Sequence, residues 1–259
     1  MRTPQFIIMP KISSKKQAKL TSCKKNSSLR KEKGRKPEID PFRLPRYPKC
    51  DLHIVIDVDR TLIKTPKEYI YGGEAQVDGL TISVRPKALD FVKFCCKIAT
   101  TVKFISYFEI SVTKSWLKEA GFPATIPVMG LEDMHKVMRL ESNPMWLVSH
   151  EGDYFFKNIP LFNKFDTIII DNFANFYIEE QRLNTVQVLE FTPSETPEKN
   201  DLFKRLAEFL LNIKKKKKSI PDQIKELEEA YPDFFIPKLP HYPRFKVVET
   251  RRKAKIEIL

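Results

Sequence analysis

Two patterns of apolar residues alternate along this chain, and they predict strands alternating with helices. A continuous apolar run, of the kind that a parallel strand buried on both faces produces, occurs in LHIVIDV, and further strand-like segments occur in TVKFIS, TIPVM, DTIIIDN and VQVLEF. Apolar residues at helical spacing occur in PKALDFVKFCCKIA, ISVTKSWLKEAGF and KNDLFKRLAEFLLNI. The order of these segments predicts an α/β fold with a Rossmann-like, doubly wound parallel sheet.

A small insertion is expected between the first strand and the first helix. The segment YIYGGEAQVDGLTISVRP contains two turn signals, Gly72-Gly73 and Asp78-Gly79, flanked by strand-like residues. This pattern predicts a small β-hairpin insertion after the first strand. The following helix has Pro86 in or near its first turn, where proline is tolerated.

Charge is distributed unevenly along the chain, and this distribution sets the expected domain boundaries. The 259 residues carry a formal net charge of +13, and 42% of them are hydrophobic, which is enough for one sizeable core. No acidic residue precedes Glu32, whereas lysines are frequent there. We therefore expect a basic disordered arm over residues 1–47, one folded domain over 48–213, and a basic tail with prolines and aromatics over 214–259.

The basic segments also bear on location and partners. A run of five lysines, Lys214 to Lys218, is usually a solvated cluster, but it also fits a nuclear-import signal or a weak phosphate-binding patch for nucleic acid. No apolar run approaches the roughly 18 residues of a membrane span, so no transmembrane segment is expected. Nuclear residence is the first expectation and cytoplasmic residence the second, with a mitochondrial location less favoured.

Polar residues follow three of the predicted strands at the point where each strand ends. These residues are Asp57, Ser106 and Asp171. Because the carboxyl ends of parallel strands meet at one edge of a sheet, we expect the three side chains to share one crevice. Carboxylates that lie close together are costly to desolvate unless a cation, a proton or a phosphorylated substrate uses them. The sequence therefore predicts a reactive or ligand-binding site at this edge.

The residue types at this edge suit phosphoryl transfer. Asp57 would attack phosphorus, and Asp59 would protonate the departing oxygen and later activate water. Thr61 and Ser106 would donate hydroxyl hydrogens to the phosphoryl oxygens, and a lysine from elsewhere would offset their charge. Asp171 together with Asp57 would hold Mg2+, which prefers oxygen ligands.

The motifs that contain these residues resemble a known family. DVDRTL resembles the D-x-D-x-T-L signature of the haloacid dehalogenase superfamily, and in particular of its carboxy-terminal-domain phosphatase branch, the FCP/SCP-like or NLI-interacting-factor-like domains. VKFISYFEISVTKSWL aligns Ser106 with the second-motif threonine or serine, and SHEGDYFFKNIPLF aligns Lys157 with the third-motif lysine. TIIIDNFANFYIEEQRLNTVQV aligns Asp171 and Asn172 with the fourth-motif metal pair. The motifs follow the family's order over about Cys50 to Ile213.

This resemblance implies a haloacid dehalogenase-like fold and a specific activity. The implied activity is a Mg2+-dependent protein serine/threonine phosphatase that forms an aspartyl-phosphate, and the branch's substrates include the RNA polymerase II carboxy-terminal domain. The implied partner is a phosphorylated protein. The implied catalytic residues are Asp57, Asp59 and Lys157; the implied phosphate-binding residues are Thr61, Ser106 and Lys157; the implied metal ligands are Asp57, Asp59, Asp171 and Asn172.

Some positions depart from the family pattern, and two other functions stay open. Arg60 stands where these phosphatases usually carry glutamate, so it would either blunt the acid role of Asp59 or contact the substrate phosphate. One alternative is a non-catalytic binding module, like the receptor subunit of the mitochondrial presequence translocase, although the arm here is lysine-rich and interrupted by proline. The other is a phosphatase of small phosphorylated metabolites or nucleic-acid ends.

Overall fold

The structure is a computed structural model that describes residues 40–65, 82–137, 148–150, 153–193, 201–213, 218–238, 245–250 and 253–258. These residues all belong to one compact unit, Ile39–Leu259. Three predicted features lie wholly or largely outside the described residues: the basic arm up to residue 39, the two turn signals of the insertion, and the lysine run up to residue 217. None of the described helices is long and apolar enough to cross a membrane.

The elements alternate along the chain much as the apolar patterns predict. The strands are β1 (His53–Asp57), β2 (Ile63–Lys64), β3 (Ser83–Val84), β4 (Thr101–Ile105), β5 (Val128–Met129), β6 (His135–Val137), β7 (Val148–His150), β8 (Asp153–Phe156), β9 (Thr167–Asp171), β10 (Thr185–Gln187), β11 (Phe245–Thr250) and β12 (Lys253–Ile258). The helices are α1 (Ala88–Ile98), α2 (Ile110–Glu119), α3 (Glu179–Leu183), α4 (Leu202–Asn212) and α5 (Ile220–Ala230). Short 3-10 helices cover Pro41–Arg43, Leu131–Asp133 and Ala174–Phe176.

Five strands form a parallel central sheet in the order β10-β9-β1-β4-β5, and helices flank it. The predicted α/β class with a parallel sheet is therefore confirmed. From β1 the chain adds β4 and β5 on one side, and it then returns to add β9 and β10 on the other. The strand order thus reverses between β1 and β9. Such a reversal marks the crevice beyond the carboxyl ends of the strands where α/β folds bind ligands.

Both faces of the central strands are buried, which explains why their sequences are continuously apolar. Ile54 and Ile56 of β1 lie in the larger core with the buried faces of α1, α2, α4 and α5. Val55, between them, lies in a second core on the opposite face. The same alternation recurs in β9, where Ile169 belongs to the second core. Other members of that core are Ile105, Tyr107, Met129, Met134, Ile159 and Tyr177.

Two smaller sheets flank the central one. Strands β6, β8 and β7 form an antiparallel sheet in that order, and the chain leaves β8 directly into residue 157. Strands β2 and β3 pair antiparallel, with Ile63 opposite Val84. This short ladder closes the base of the predicted insertion, whose residues 66–81 lie outside the described part of the chain.

The ordered core extends beyond both predicted domain boundaries. Phe42 and Tyr47 belong to the segment predicted as a disordered arm, yet each ring packs edge-on against Phe94 at 5.8 Å between centroids. Helix α5 lies in the segment predicted as a tail. Its buried residues Ile220, Ile224 and Leu227 join the larger core.

Candidate active site

Two aspartates end neighbouring strands at the switch point of the sheet. Asp57 is the last residue of β1 and Asp171 is the last residue of β9, and the two strands pair in parallel with Ile56 opposite Ile170. The parallel register therefore brings both carboxylates to the same edge. Both residues are buried, with 3% of Asp57 and none of Asp171 exposed.

Lys157 bridges these two carboxylates. Its Nζ lies 2.6 Å from Oδ1 of Asp57 and 2.6 Å from Oδ2 of Asp171. Its backbone is held by a hydrogen bond from its N–H to the carbonyl of Phe176 at 2.8 Å and by a bridge to Tyr177. One buried cation thus meets two buried anions, which makes the triad of Asp57, Lys157 and Asp171 stable only while all three partners are present.

Three aromatic rings surround the ammonium group of Lys157. Its Nζ lies 5.0 Å from the ring centroid of Tyr107, 5.8 Å from that of Phe176 and 5.5 Å from that of Tyr177. Each distance is within the range of a cation–π contact. The rings pack around the lysine and contribute to its burial, which leaves 2% of the residue exposed.

Asp171 accepts hydrogen bonds from three donors. Its Oδ1 accepts from the backbone N–H of Phe173 at 2.7 Å, and its Oδ2 accepts from Lys157 and from the hydroxyl of Tyr177 at 2.8 Å. Burial, together with the charges of Asp171 and Asp57, raises the pKa of Tyr177 well above its usual value, so its hydroxyl stays protonated and donates. These donors fix the orientation of the Asp171 carboxylate.

The charges of the triad perturb one another. Burial, together with the charge of Asp171, raises the pKa of Asp57 to about 7 against an ordinary 3.8, although Lys157 and Thr61 act in the opposite direction. Burial by itself lowers the pKa of Lys157, but the charges and hydrogen bonds of Asp171 and Asp57 outweigh it and raise the pKa above its ordinary value. The lysine is therefore charged at neutral pH, and Asp57 keeps its proton to a higher pH than an ordinary aspartate does.

Thr61 links the loop after β1 to the loop after β9. Its Oγ1 accepts a hydrogen bond from the backbone N–H of Asn172 at 3.0 Å and donates to Oδ1 of the same residue at 3.2 Å. Thr61 is fully buried. The structure thus brings Thr61, Asn172 and the triad to one edge of the sheet.

Asp59 does not contact the triad. Its Oδ1 accepts from the hydroxyl of Thr65 at 2.6 Å, and its Oδ2 lies 3.5 Å from Nε of Arg60. Both oxygens are therefore engaged on the side of the loop that leads into β2. The predicted acid stands two residues beyond the end of β1, and its carboxylate contacts Thr65 and Arg60.

Ser106 follows β4 at the same edge. Asp57 stands opposite Ile105 in the register, so Ser106 lies one residue further along the neighbouring strand. Its Oγ accepts from the backbone N–H of Phe108 at 3.2 Å. Because the hydroxyl accepts in this turn, its own hydrogen stays available for donation.

Oxygen donors of the kind that Mg2+ prefers lie at this edge, on Asp57, Asp171 and Asn172. Mg2+ in proteins commonly binds one or two carboxylates and keeps several waters, and the amide oxygen of Asn172 adds a further hard donor nearby. Within the described ranges, no cluster of three or more His, Cys, Asp or Glu side chains is arranged to hold a metal ion. Asp59, the predicted third carboxylate, faces Thr65 and Arg60 instead. The fit to Mg2+ therefore rests on two carboxylates.

Three residues near the site have no predicted role from sequence. Tyr177 donates to Asp171, Thr65 donates to Asp59, and Glu190 pairs with Arg60 at 3.1 Å. In the sequence, Tyr177 stands out only because it lies within the segment that resembles the fourth motif. The other two lie on irregular segments, where no periodicity indicates the direction of a side chain.

Comparisons with known proteins leave the family open. No protein-family model matches the chain, and no curated protein matches it. Among solved structures, one similar chain is an arginine-to-alanine variant of the fission yeast RNA polymerase II CTD phosphatase Fcp1 bound to beryllium fluoride, with 10% identity and a TM-score of 0.34 over 71% of this chain and 63% of that one. The chain thus spans less than two thirds of that structure. Similarity at this level identifies no family, and the α/β class rests on the sheet itself.

Proposed function

We propose that this chain is a phosphomonoester hydrolase in which Asp57 accepts the phosphoryl group. The observation that supports this best is the position of Lys157, whose Nζ lies 2.6 Å from both Asp57 and Asp171 at the switch point of the sheet. A buried cation beside a carboxylate nucleophile offsets the charge that builds on a transferring phosphoryl group. The triad lies at the carboxyl ends of β1 and β9, where open α/β sheets bind their ligands.

The reaction would proceed in two steps, transfer of the phosphoryl group to Asp57 and hydrolysis of the resulting aspartyl-phosphate. An oxygen of Asp57 forms a bond to phosphorus while the bond from phosphorus to the substrate oxygen breaks, and Asp59 gives its proton to the departing oxygen. Asp59 then takes a proton from water, whose oxygen attacks phosphorus and releases Asp57. The hydroxyl of Ser106 donates to a phosphoryl oxygen, and the hydroxyl of Thr61 does so once its hydrogen leaves Oδ1 of Asn172.

Asp57 and Asp171 would hold Mg2+, with Asn172 beside them, and the bound ion would supply positive charge against the phosphoryl oxygens. The protein's own groups have separate tasks. Lys157 holds the two carboxylates in place. The aromatic ring of Tyr107, whose centroid lies 5.0 Å from Nζ of Lys157, helps to exclude water from the lysine. For Asp59 to act as the acid, its carboxylate has to leave Thr65, with which it shares a 2.6 Å hydrogen bond.

The substrate class that we propose is phosphoserine or phosphothreonine in proteins. The motif resemblance to carboxy-terminal-domain phosphatases supports it, and the RNA polymerase II tail is one such substrate. Nuclear residence goes with this proposal and is supported by the basic composition of residues 1–31 and of Lys214 to Lys218. Imaging of a tagged protein tests it, since mitochondrial staining would contradict it.

The activity is tested with p-nitrophenyl phosphate in the presence and absence of Mg2+. We expect Mg2+-dependent phosphate release by the wild type, none by Asp57→Asn, and unchanged release by Asp51→Asn, which alters an exposed aspartate just before β1. No release by a folded wild-type sample would contradict the proposal. Phosphopeptides compared with sugar phosphates then separate protein from metabolite substrates.

A binding module without turnover is the second candidate, and one observation favours it. Asp59 is engaged on both oxygens, by Thr65 at Oδ1 and by Arg60 at Oδ2, and a proton donor held in this way is turned from the triad. A folded protein that binds phosphopeptides but releases no phosphate would support this candidate over the enzyme.

A further inference from the structure

Arg60 has an unusual backbone and a fixed side chain beside the candidate site. Its φ is 60°, in the left-handed region that arginine rarely adopts. Two backbone hydrogen bonds hold it there: its N–H donates to the carbonyl of Ile63 at 2.6 Å, and its carbonyl accepts from the N–H of Phe191 at 2.7 Å. Strained backbone of this kind persists where the surrounding structure imposes it, and it is concentrated at functional sites.

The guanidinium of Arg60 is tethered at two points. Its Nη1 lies 3.1 Å from Oε1 of Glu190, and its Nε lies 3.5 Å from Oδ2 of Asp59. The same Glu190 oxygen also pairs with Lys64 at 3.1 Å. The segment that carries Glu190 is itself fixed, because Arg85 donates to the carbonyl of Leu189 at 2.8 Å. These two ion pairs therefore favour this position of the guanidinium before any ligand binds.

The side chain of Arg60 is partly open to solvent. An arginine has five N–H donors, and the two contacts of Arg60 are ion pairs through Nε and Nη1. The side chain is 50% exposed, and within the described part of the chain no partner is recorded for Nη2. A planar fork with two free N–H groups matches a carboxylate or a phosphate.

Arg60 also lies next to the groups that would handle the scissile phosphate. It stands between Asp59 and Thr61, and Thr61 shares two hydrogen bonds with Asn172, which follows Asp171. Its Nε pairs with Oδ2 of Asp59, so the guanidinium lies beside the carboxylate that would protonate the departing oxygen. A second anionic group on the substrate, close to the phosphorylated residue, would reach this fork while the scissile phosphate occupies the inner site.

We propose that Arg60 is a specificity-determining residue that selects phosphopeptides carrying a second acidic side chain close to the phosphorylated residue. This inference rests on the proposed function, because it takes the edge formed by Asp57 and Thr61 as the phosphate site. Glu190 is a positioning residue in this arrangement, since it acts through Arg60. Contact of Arg60 with the scissile phosphate itself is the alternative, and it predicts no preference between peptides.

The test uses a series of phosphoserine peptides with one glutamate placed one, two or three residues from the phosphoserine on either side, and a parent peptide with alanine at all these positions. Affinity is measured by fluorescence anisotropy on the full chain with Asp57→Asn, so that no peptide is consumed. We expect at least one glutamate peptide to bind about fivefold more tightly than the parent, as one charge-assisted contact in a half-exposed site would give.

Variants of Arg60 then show whether this residue causes the preference. Arg60→Gln in the same background should bring the affinity ratio to about one, and Arg60→Lys, which keeps the charge but not the fork, should give an intermediate ratio. Arg43→Ala is the matched control, because its 88% exposed side chain pairs with Asp40 in a separate segment, and it should leave the ratio unchanged. A ratio near one in the Asp57→Asn chain, or a ratio unchanged by Arg60→Gln, would overturn the inference.

Phosphate release by the chain with Asp57 intact separates this inference from the proposed function. If the protein with Asp57 intact binds a glutamate peptide more tightly than the parent peptide but releases no phosphate, the hydrolase proposal fails and the role of Arg60 stands. If it releases phosphate from all peptides with equal kcat/KM, the hydrolase proposal stands and the role of Arg60 fails.

Discussion

The hydroxyl of Tyr177 lies 2.8 Å from Oδ2 of Asp171, the same oxygen that accepts a hydrogen bond from Lys157. Tyr177→Phe removes this donor and keeps the ring. Because hydrogen bonds to charged groups stabilise proteins by about 1.5–3 kcal/mol, we expect the free energy of unfolding to fall by about 2 kcal/mol in urea titrations.

Tyr231→Phe is the matched control for this change. Tyr231 also packs its ring against a cation, Arg205 at 5.1 Å, but within the described residues its hydroxyl has no recorded hydrogen bond. The control should therefore change stability by less than about 0.5 kcal/mol. Equal losses in both variants would mean that the hydroxyl of Tyr177 does not support Asp171.

Removing the charge of Lys157 should destabilise the fold strongly. Lys157→Met keeps an unbranched side chain but leaves Asp57 and Asp171 facing each other without a cation. Loss of one partner from a buried ion pair costs about 3–5 kcal/mol, and we expect a loss of that order at pH 8. The loss should be smaller at pH 5, where Asp57 can take up a proton.

Lys118→Met on the exposed face of α2 provides the comparison and should be close to neutral. The double variant Asp57→Asn/Lys157→Met should be more stable than Lys157→Met alone, because it removes one of the two uncompensated anions. Additive losses in the double variant would contradict the contact between Asp57 and Lys157.

The raised pKa of Asp57 predicts a pH dependence of stability. The folded protein keeps the Asp57 proton up to about pH 7, whereas the unfolded chain loses it near 3.8. The contribution of Asp57 to the free energy of unfolding is therefore fully present below about pH 4, and this contribution falls as the pH rises toward 7. The slope is about 1.4 kcal/mol per pH unit in the middle of that window.

Urea titrations from pH 4.5 to 8 with a chelator present measure this effect. Asp57→Asn cannot titrate at this position, so its free energy of unfolding should fall less steeply with pH than that of the wild type. Parallel curves for the two proteins would show that Asp57 has an ordinary pKa in the fold.

The central sheet follows from the sequence because each of its strands carries a local signal. Ile54-Val55-Ile56 and Ile168-Ile169-Ile170 are apolar on both faces, and the structure places alternate residues of each run in two different cores. Once the strands are parallel, their ends must meet at one edge. The proximity of Asp57 to Asp171 is therefore a consequence of topology, and it was predictable without any contact information.

Other features depend on contacts that no local pattern encodes. Thr65 and Arg60 engage Asp59, and Glu190 reaches back to Arg60 from beyond β10, so these pairings form only when distant irregular segments meet. Helix α5 did carry a signal: Ser219 caps it by accepting from the N–H of Asp222, and its apolar residues recur at helical spacing. The sequence nevertheless predicted a tail over residues 214–259, because the basic, proline-containing composition on either side of α5 outweighed its helical pattern.

Mg2+ should stabilise the folded protein, and more so at pH 8 than at pH 6. The ion competes with the Asp57 proton, whose pKa is about 7 in the metal-free fold, so its affinity should rise with pH through that value. Thermal unfolding with and without Mg2+ measures this. Asp57→Asn and Asp171→Asn should each lose most of the stabilisation, and Asp51→Asn should keep it; equal stabilisation of all three would place the ion elsewhere.

The phosphoryl group on Asp57 itself is the most direct test of the account. Wild-type protein is mixed with a phosphopeptide and Mg2+, quenched in acid within the first turnovers and digested, and the peptide that contains Asp57 is examined by mass spectrometry. We predict the added mass of one phosphoryl group on that peptide, removed by hydroxylamine and absent from Asp57→Asn. Phosphate release that proceeds with Asp57 unmodified, or that persists in Asp57→Asn, would contradict the account.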